Sequence, residues 1–260
     1  MMTPNKLRTA VLALALALIA APAAAASPQE ILIASDAIRN PDFPFSLNNT
    51  LIEYRHGKQT ESSTLAIYSK ADPNGGQFRS LVRYTAPARD AGKLILFNGK
   101  DLWFFDPASK ASVRLSPQQR LLGQASNGDV VTVNFAKDYQ ARTSTDEDTL
   151  DGDRQSRRSH KLELAAATPD ATYHRIEMWV DAATTRPVKA RFYSESGKLL
   201  KTAYYRRYQK IFGVERPTET VIIDGLEPDW VTVMRYSDWV RRDVPETWLQ
   251  RDYLPRFRPE

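Results

Sequence analysis

Much of this sequence alternates apolar and polar residues with a period of two, a pattern that admits little besides an antiparallel sheet. Phe78, Ser80, Val82 and Tyr84 alternate with Arg79, Leu81 and Arg83. Ile176, Met178 and Val180 alternate with Arg175, Glu177 and Trp179, and Val188, Ala190 and Phe192 with Lys189, Arg191 and Tyr193. Strands with one face buried and the other wet, or lining a cavity, read this way. Asn98-Gly99, between LILF and KDLWFF, is the strongest hairpin signal, because both central residues of a type I′ turn take positive φ. Ser196-Gly197 is a second. The spacing predicts roughly ten or eleven strands. Without a βαβ rhythm or an internal repeat, the expected class is mainly β (α+β), an antiparallel sheet or barrel.

Three stretches depart from that period. Ser27-Pro28-Gln29-Glu30 reads as a helix start, with Ser27 capping, Pro28 at the first helical position and Glu30 reaching back to the cap. Ile31, Ala34 and Ile38 follow at helical spacing, and Asn40-Pro41 ends the run. Residues 116–124 (SPQQRLLGQ) predict a second, short helix capped by Ser116. Residues 125–153 predict a long irregular connection, of the kind that serves as a lid or a mobile loop.

The amino terminus has a different logic. Lys6 and Arg8 precede an unbroken apolar run over residues 11–21, and Ala24-Ala25-Ala26 offers small residues for a signal peptidase. The run is shorter than the about 20 residues a spanning helix needs. Residues 1–26 are therefore expected to be a cleaved signal peptide, leaving residues 27–260 as a single exported, periplasmic domain. No cysteine follows the cleavage site, so no lipid-modified N-terminus is expected. Cleavage removes two cations and no acid, so 34 basic groups remain against 31 acidic ones. Nucleic-acid binders carry a basic stripe or a recognisable module, and neither is present. Arg206-Arg207 and Arg241-Arg242 lie in strand-like text and read as solvated faces.

Catalytic and metal chemistry find little support. With no cysteine and no Gly-x-Ser-x-Gly elbow, the common nucleophile signatures are missing. His56, His160 and His174 are scattered, without ligand spacing, so no zinc site is expected. The acidic run at residues 146–153 fails the calcium-loop pattern, since Leu150 falls at its fifth position and Arg157 at its twelfth. No catalytic residue, metal or cofactor is expected. What the sequence holds in excess is strand aromatics: Trp103-Phe104-Phe105, Tyr204-Tyr205, Tyr208, Trp179, Trp230 and Trp239. Two readings fit them, an ordinary core or a curved sheet enclosing an apolar hollow for a ligand such as an acyl chain.

Residues 92–107 (GKLILFNGKDLWFFDP) resemble the central hairpin of the LolA-like family of outer-membrane lipoprotein-sorting proteins. The likeness extends through residues 83–88 (RYTAPA), residues 150–153 (LDGD) running into residues 161–164 (KLEL), and residues 176–181 (IEMWVD) with Arg186-Pro187. It continues through Phe192-Tyr193 with Ser196-Gly197-Lys198, and ends in residues 244–249 (VPETWL) up to Leu254. The resemblance implies an incomplete, strongly curved antiparallel barrel with an N-terminal helix and short lid helices. It implies a soluble monomeric carrier of lipoprotein acyl chains or another lipid between the inner and outer membranes, working with an inner-membrane transporter. The alternative is an envelope adaptor that binds a protein partner with the same fold. On this reading Trp103 and Phe105, which share a strand face, and Tyr84 and Phe97 would line the cavity, with Leu121 and Leu122 as lid contacts. One position departs from the family. Where the carrier has an Arg-Pro whose arginine latches the lid, this chain has residues 67–73 (IYSKADP), with Lys70 the nearest cation. A lysine lacks the planar, multi-donor guanidinium.

Overall fold

The computed structural model describes residues 26–258. The signal-peptide expectation for residues 1–26 therefore lies, apart from Ala26, outside the described residues. Helix α1 (Pro28–Arg39) begins as its sequence requires: the Ser27 hydroxyl accepts from Glu30 N (3.3 Å), and the Glu30 carboxylate accepts from Ser27 N (2.7 Å). At its other end Arg216 donates to the Ala37 and Ile38 carbonyls (2.9 Å each), two of the acceptors that every helix leaves over.

The strands follow as β1 (Phe45–Arg55), β2 (Lys58–Lys70), β3 (Arg79–Ala86), β4 (Leu94–Phe97), β5 (Leu102–Asp106) and β6 (Ala111–Leu115). A short hairpin of β7 (Arg120–Leu122) and β8 (Ala125–Ser126) leads to two single-turn helices, α2 (Asn127–Val130) and α3 (Phe135–Asp138). Seven more strands follow: β9 (Tyr139–Leu150), β10 (Ser156–Ala166), β11 (Arg175–Asp181), β12 (Pro187–Tyr193), β13 (Leu199–Ile211), β14 (Val214–Asp224) and β15 (Trp230–Arg241). Thirteen of them form one antiparallel sheet, in the order β6-β5-β4-β3-β2-β1-β15-β14-β13-β12-β11-β10-β9. Among the described residues, β6 and β9 are its free edges. The sheet is rolled, because inward residues from strands far apart in that order, such as Val82, Leu51, Ile222 and Ile176, share one core cluster with Ile31 and Leu32 of α1.

A second cluster lies on the outer face, where 3₁₀ turns at Glu246–Leu249 and Arg251–Arg256 cover β2 to β5. Register assigns the two faces. Ile95 pairs with Phe104 and Phe97 with Leu102, all in the inner cluster, whereas Leu96 pairs with Trp103 and Leu94 with Phe105, all in the outer one. Glu246 ties this outer segment down through Lys70 (2.6 Å) and Arg79 (2.7 Å).

Two local expectations are corrected. Residues 116–124 form turns and β7, not a helix; the lid helices come later, as α2 and α3. Residues 139–150 are a strand, not part of an irregular connection. β9 is an edge strand with most of its side chains in solvent, so its faces need not differ in polarity. Its acidic side chains pair outward instead, Asp146 with His160 (2.6 Å) and Glu147 with the Trp179 indole N–H (2.6 Å). Charge along an edge also discourages pairing with another chain.

Candidate functional site: a cavity beneath a clamped lid

The hollow of the rolled sheet holds a cavity of about 130 Å³. Inward residues of the sheet form its floor, among them Leu47, Ile67, Ala203, Ile222 and Met234, and residues 128–133 with Phe135 and Tyr139 form its roof. The space resembles that of an engineered apolar cavity of about 150 Å³ that admits a benzene.

The roof has only two single turns of helix, α2 and α3, and the buried backbone groups between and around them need partners. Side chains provide them. Arg39 and Asn40, at the end of α1, donate to the Val133 carbonyl (2.7 and 2.8 Å), and Asn40 also donates to Asn134 Oδ1 (2.7 Å). Gln77 donates to the Asn134 carbonyl (2.9 Å) and accepts from its N–H (2.8 Å). Asp36 accepts from Ala136 N (2.8 Å), Gln29 donates to the Ala136 carbonyl (3.2 Å), and Ser80 accepts from Thr132 N (3.3 Å). The Arg39 guanidinium also lies over the Phe135 ring, 4.0 Å from its centroid. Burial pushes the Asp36 carboxyl up to about 6, against the opposing pull of Arg39 and two backbone N–H groups.

At the other end of the roof, α2 is anchored by charge. Asp129 pairs with Lys201 of β13, which is 3 % exposed and also donates to the Gln124 carbonyl (2.9 Å). Asp129 further accepts from the Tyr173 hydroxyl (2.8 Å) and from Ser126 N (2.7 Å). Burial holds the Lys201 ammonium below its ordinary pKa and the Tyr173 hydroxyl well above its own. Gly128 fits closely here, since a Cβ on it would come within 2.3 Å of Thr172 Oγ1.

Trp103 and Phe105 do share a face, but it is the outer one. Neither lines the cavity; Phe105 packs in the outer cluster, and the Arg251 guanidinium stacks on Trp103 at 3.9 Å. The inward residues of that strand are Leu102 and Phe104, because β5 meets β4 in a register that turns the even positions in. Tyr84 and Phe97 face inward with the inner cluster but lie beyond the cavity wall. Burial raises the Tyr84 hydroxyl above its ordinary pKa. Leu121 and Leu122 pack on the same cluster from β7, beside the roof. Lys70 faces the C-terminal segment, and the guanidinium at the roof belongs to Arg39. None of the three histidines lines the cavity, and among the described residues no group of three or more His, Asp and Glu could hold a metal. Among the described residues no helix is long and apolar enough to cross a membrane.

A family model described only as an uncharacterized protein matches residues 76–256. A LolA superfamily protein from Nitrosomonas europaea is similar over 88 % of this chain and all of its own, with 35 % identity and a TM-score of 0.79. The chain belongs to the LolA superfamily. Two further structures share the LolA-type open, curved sheet, each with a TM-score of 0.73 over 87 % of this chain and 97 % of their own. One is a DUF1329 family protein from Desulfovibrio piger (20 % identity), the other a domain assigned to outer membrane lipoprotein sorting from Vibrio parahaemolyticus (18 % identity). No curated protein matches this LolA-superfamily chain.

Proposed function

We propose that this protein is a non-enzymatic, soluble periplasmic carrier that shields the acyl chains of a lipoprotein or another lipid during transfer between the inner and outer membranes. The supporting observation is an apolar cavity roofed by a segment held through side-chain-to-backbone hydrogen bonds, which can be exchanged without unravelling the sheet. Membership of the LolA superfamily adds to it. The energies are compatible. The eight lid bonds described above contribute about 1 kcal/mol each, net of hydration. Burying about ten methylenes at ~0.8 kcal/mol each offsets the loss of all eight. A chain of that length offsets release of the roof from α1 and Gln77, with the Lys201–Asp129 anchor left in place. Arrival in the periplasm would follow cleavage near Ala26-Ser27, which places the new amino group at the position of Ser27 N, 2.7 Å from the Glu30 carboxylate. An inner-membrane transporter is the expected donor.

The test is to purify the mature chain without detergent, examine it by native mass spectrometry and titrate it with a fluorescent acyl probe. A lipid adduct or saturable probe uptake is expected. Finding neither would overturn the carrier reading, and a stable protein partner held with the cavity empty would put an adaptor in its place.

A further inference from the structure

The inward face of β1 runs Phe45, Leu47, Asn49, Leu51, and the amide in that row is out of character. Asn49 is 0 % exposed and lines the cavity, and among the described residues neither its Nδ2 nor its Oδ1 has a hydrogen-bond partner. An unpartnered buried amide is among the costlier defects a core can carry. A leucine would continue the face without it. A second orphan lies on the adjoining strand. Asn49 pairs in register with Tyr236 of β15, and three residues further on Trp239 lines the same cavity with its buried Nε1 also unpartnered. Asn49 thus offers the cavity a donor at Nδ2 and an acceptor at Oδ1, and Trp239 brings a second unpartnered donor to the wall. The two cations on the cavity wall, Arg39 and Lys201, are paired with Asp36 and Asp129, so neither is free for an anionic head group.

Resting on the carrier reading, we propose that the cavity selects acyl chains bearing a neutral group that both donates and accepts a hydrogen bond, an amide linkage or a chain hydroxyl. Asn49, with Trp239, is the subsite that reads it. An ester can accept from Nδ2 but leaves Oδ1 unpartnered. An amide or hydroxyl satisfies both sides.

The test uses the full mature chain and two probes that differ only in N–H against O at the linkage, N-methyl myristamide and methyl myristate, each competed against a fluorescent acyl probe. The wild type should bind the amide about tenfold more tightly than the ester, the effect of one or two net hydrogen bonds. Asn49→Leu should keep ester binding and reduce the preference below about twofold; Asn49→Ala serves as the second variant, and Trp239→Phe should lower the preference in part. Equal wild-type affinities, the result expected if water alone meets Asn49, overturn the subsite and leave the carrier reading standing. A preference that survives in both Asn49 variants overturns it as well. Failure of the wild type to bind either probe removes both readings together.

Discussion

The buried pair between Lys201 and Asp129 anchors the lid to the sheet, and its removal has a computable consequence. In Asp129→Ala the Lys201 ammonium has no counter-charge, the Ser126 N–H loses its acceptor, and the Tyr173 hydroxyl keeps only the longer bond to Ser126 Oγ (3.4 Å). Breaking a buried ion pair from one side costs about 3–5 kcal/mol. In a domain of this size each kcal/mol shifts Tm by about 2–4 °C, so a fall of roughly 6–20 °C is expected. The double variant Lys201→Met/Asp129→Asn should lose less than half as much. Methionine fills the volume of the lysine stem without a charge, and the asparagine oxygen can still accept from Tyr173 or Ser126. Urea unfolding at neutral pH, followed by far-UV circular dichroism, gives the energies. Amide hydrogen exchange should show protection lost first over residues 127–138. An Asp129→Ala protein within about 1 kcal/mol of wild type, or a double variant as unstable as the two single losses combined, would refute the anchoring role.

Three further outcomes are expected. Because burial raises Asp36 to about 6, the folded chain keeps a proton between about pH 4 and pH 6 that the unfolded chain gives up. Stability should therefore fall as pH rises through that window, by on the order of 3 kcal/mol, and Asp36→Asn should flatten the slope; an unchanged slope in a pH series of unfolding curves would falsify the assignment. Ile222→Trp, which fills the cavity, should abolish acyl-probe binding, whereas Trp103→Ala should cost about 1–3 kcal/mol of stability and leave probe affinity unchanged, since Trp103 lies on the outer face. Lys70 and Arg79 hold the Glu246 carboxyl down to about 2, so its contribution is present above its ordinary pKa and is lost as pH falls toward 2. The group is half-exposed, so Glu246→Gln should cost less than about 1 kcal/mol and loosen residues 244–258 to proteolysis while the lid keeps its protection.

The sheet was legible because alternation records burial on one side, and the first helix because its cap, proline and apolar spacing all agree. β9 was not, because an edge strand solvated on both faces has no polarity contrast to display. Trp103 and Phe105 show the limit of period two: it pairs them on one face but cannot say which face is concave when both are covered. That choice is made by the 3₁₀ turns after β15, some 140 residues away in the chain. The lid clamp was hidden for a related reason, since Gln29, Asp36, Arg39 and Gln77 are ordinary surface residue types until the roof descends on them. A signal did exist for Asn49 and Lys201. Each is a polar residue at an inward position of an alternating strand, in the rows Leu47-Asn49-Leu51 and Leu199-Lys201-Ala203, where a structural core favours an apolar side chain.

The unpaired edges β6 and β9 give the wall a freedom that a closed barrel lacks. A closed barrel has its radius set by strand number and shear, and cannot widen without breaking a ladder. A rolled sheet with a slit can change its curvature a few degrees per strand pair while every inter-strand hydrogen bond stays intact. The chain that leaves β6 and enters β9 is the lid itself, residues 116–138, so the strap over the hollow also bridges the two sides of the slit. Any change in curvature that moves β6 relative to β9 therefore also shifts the segment that roofs the hollow.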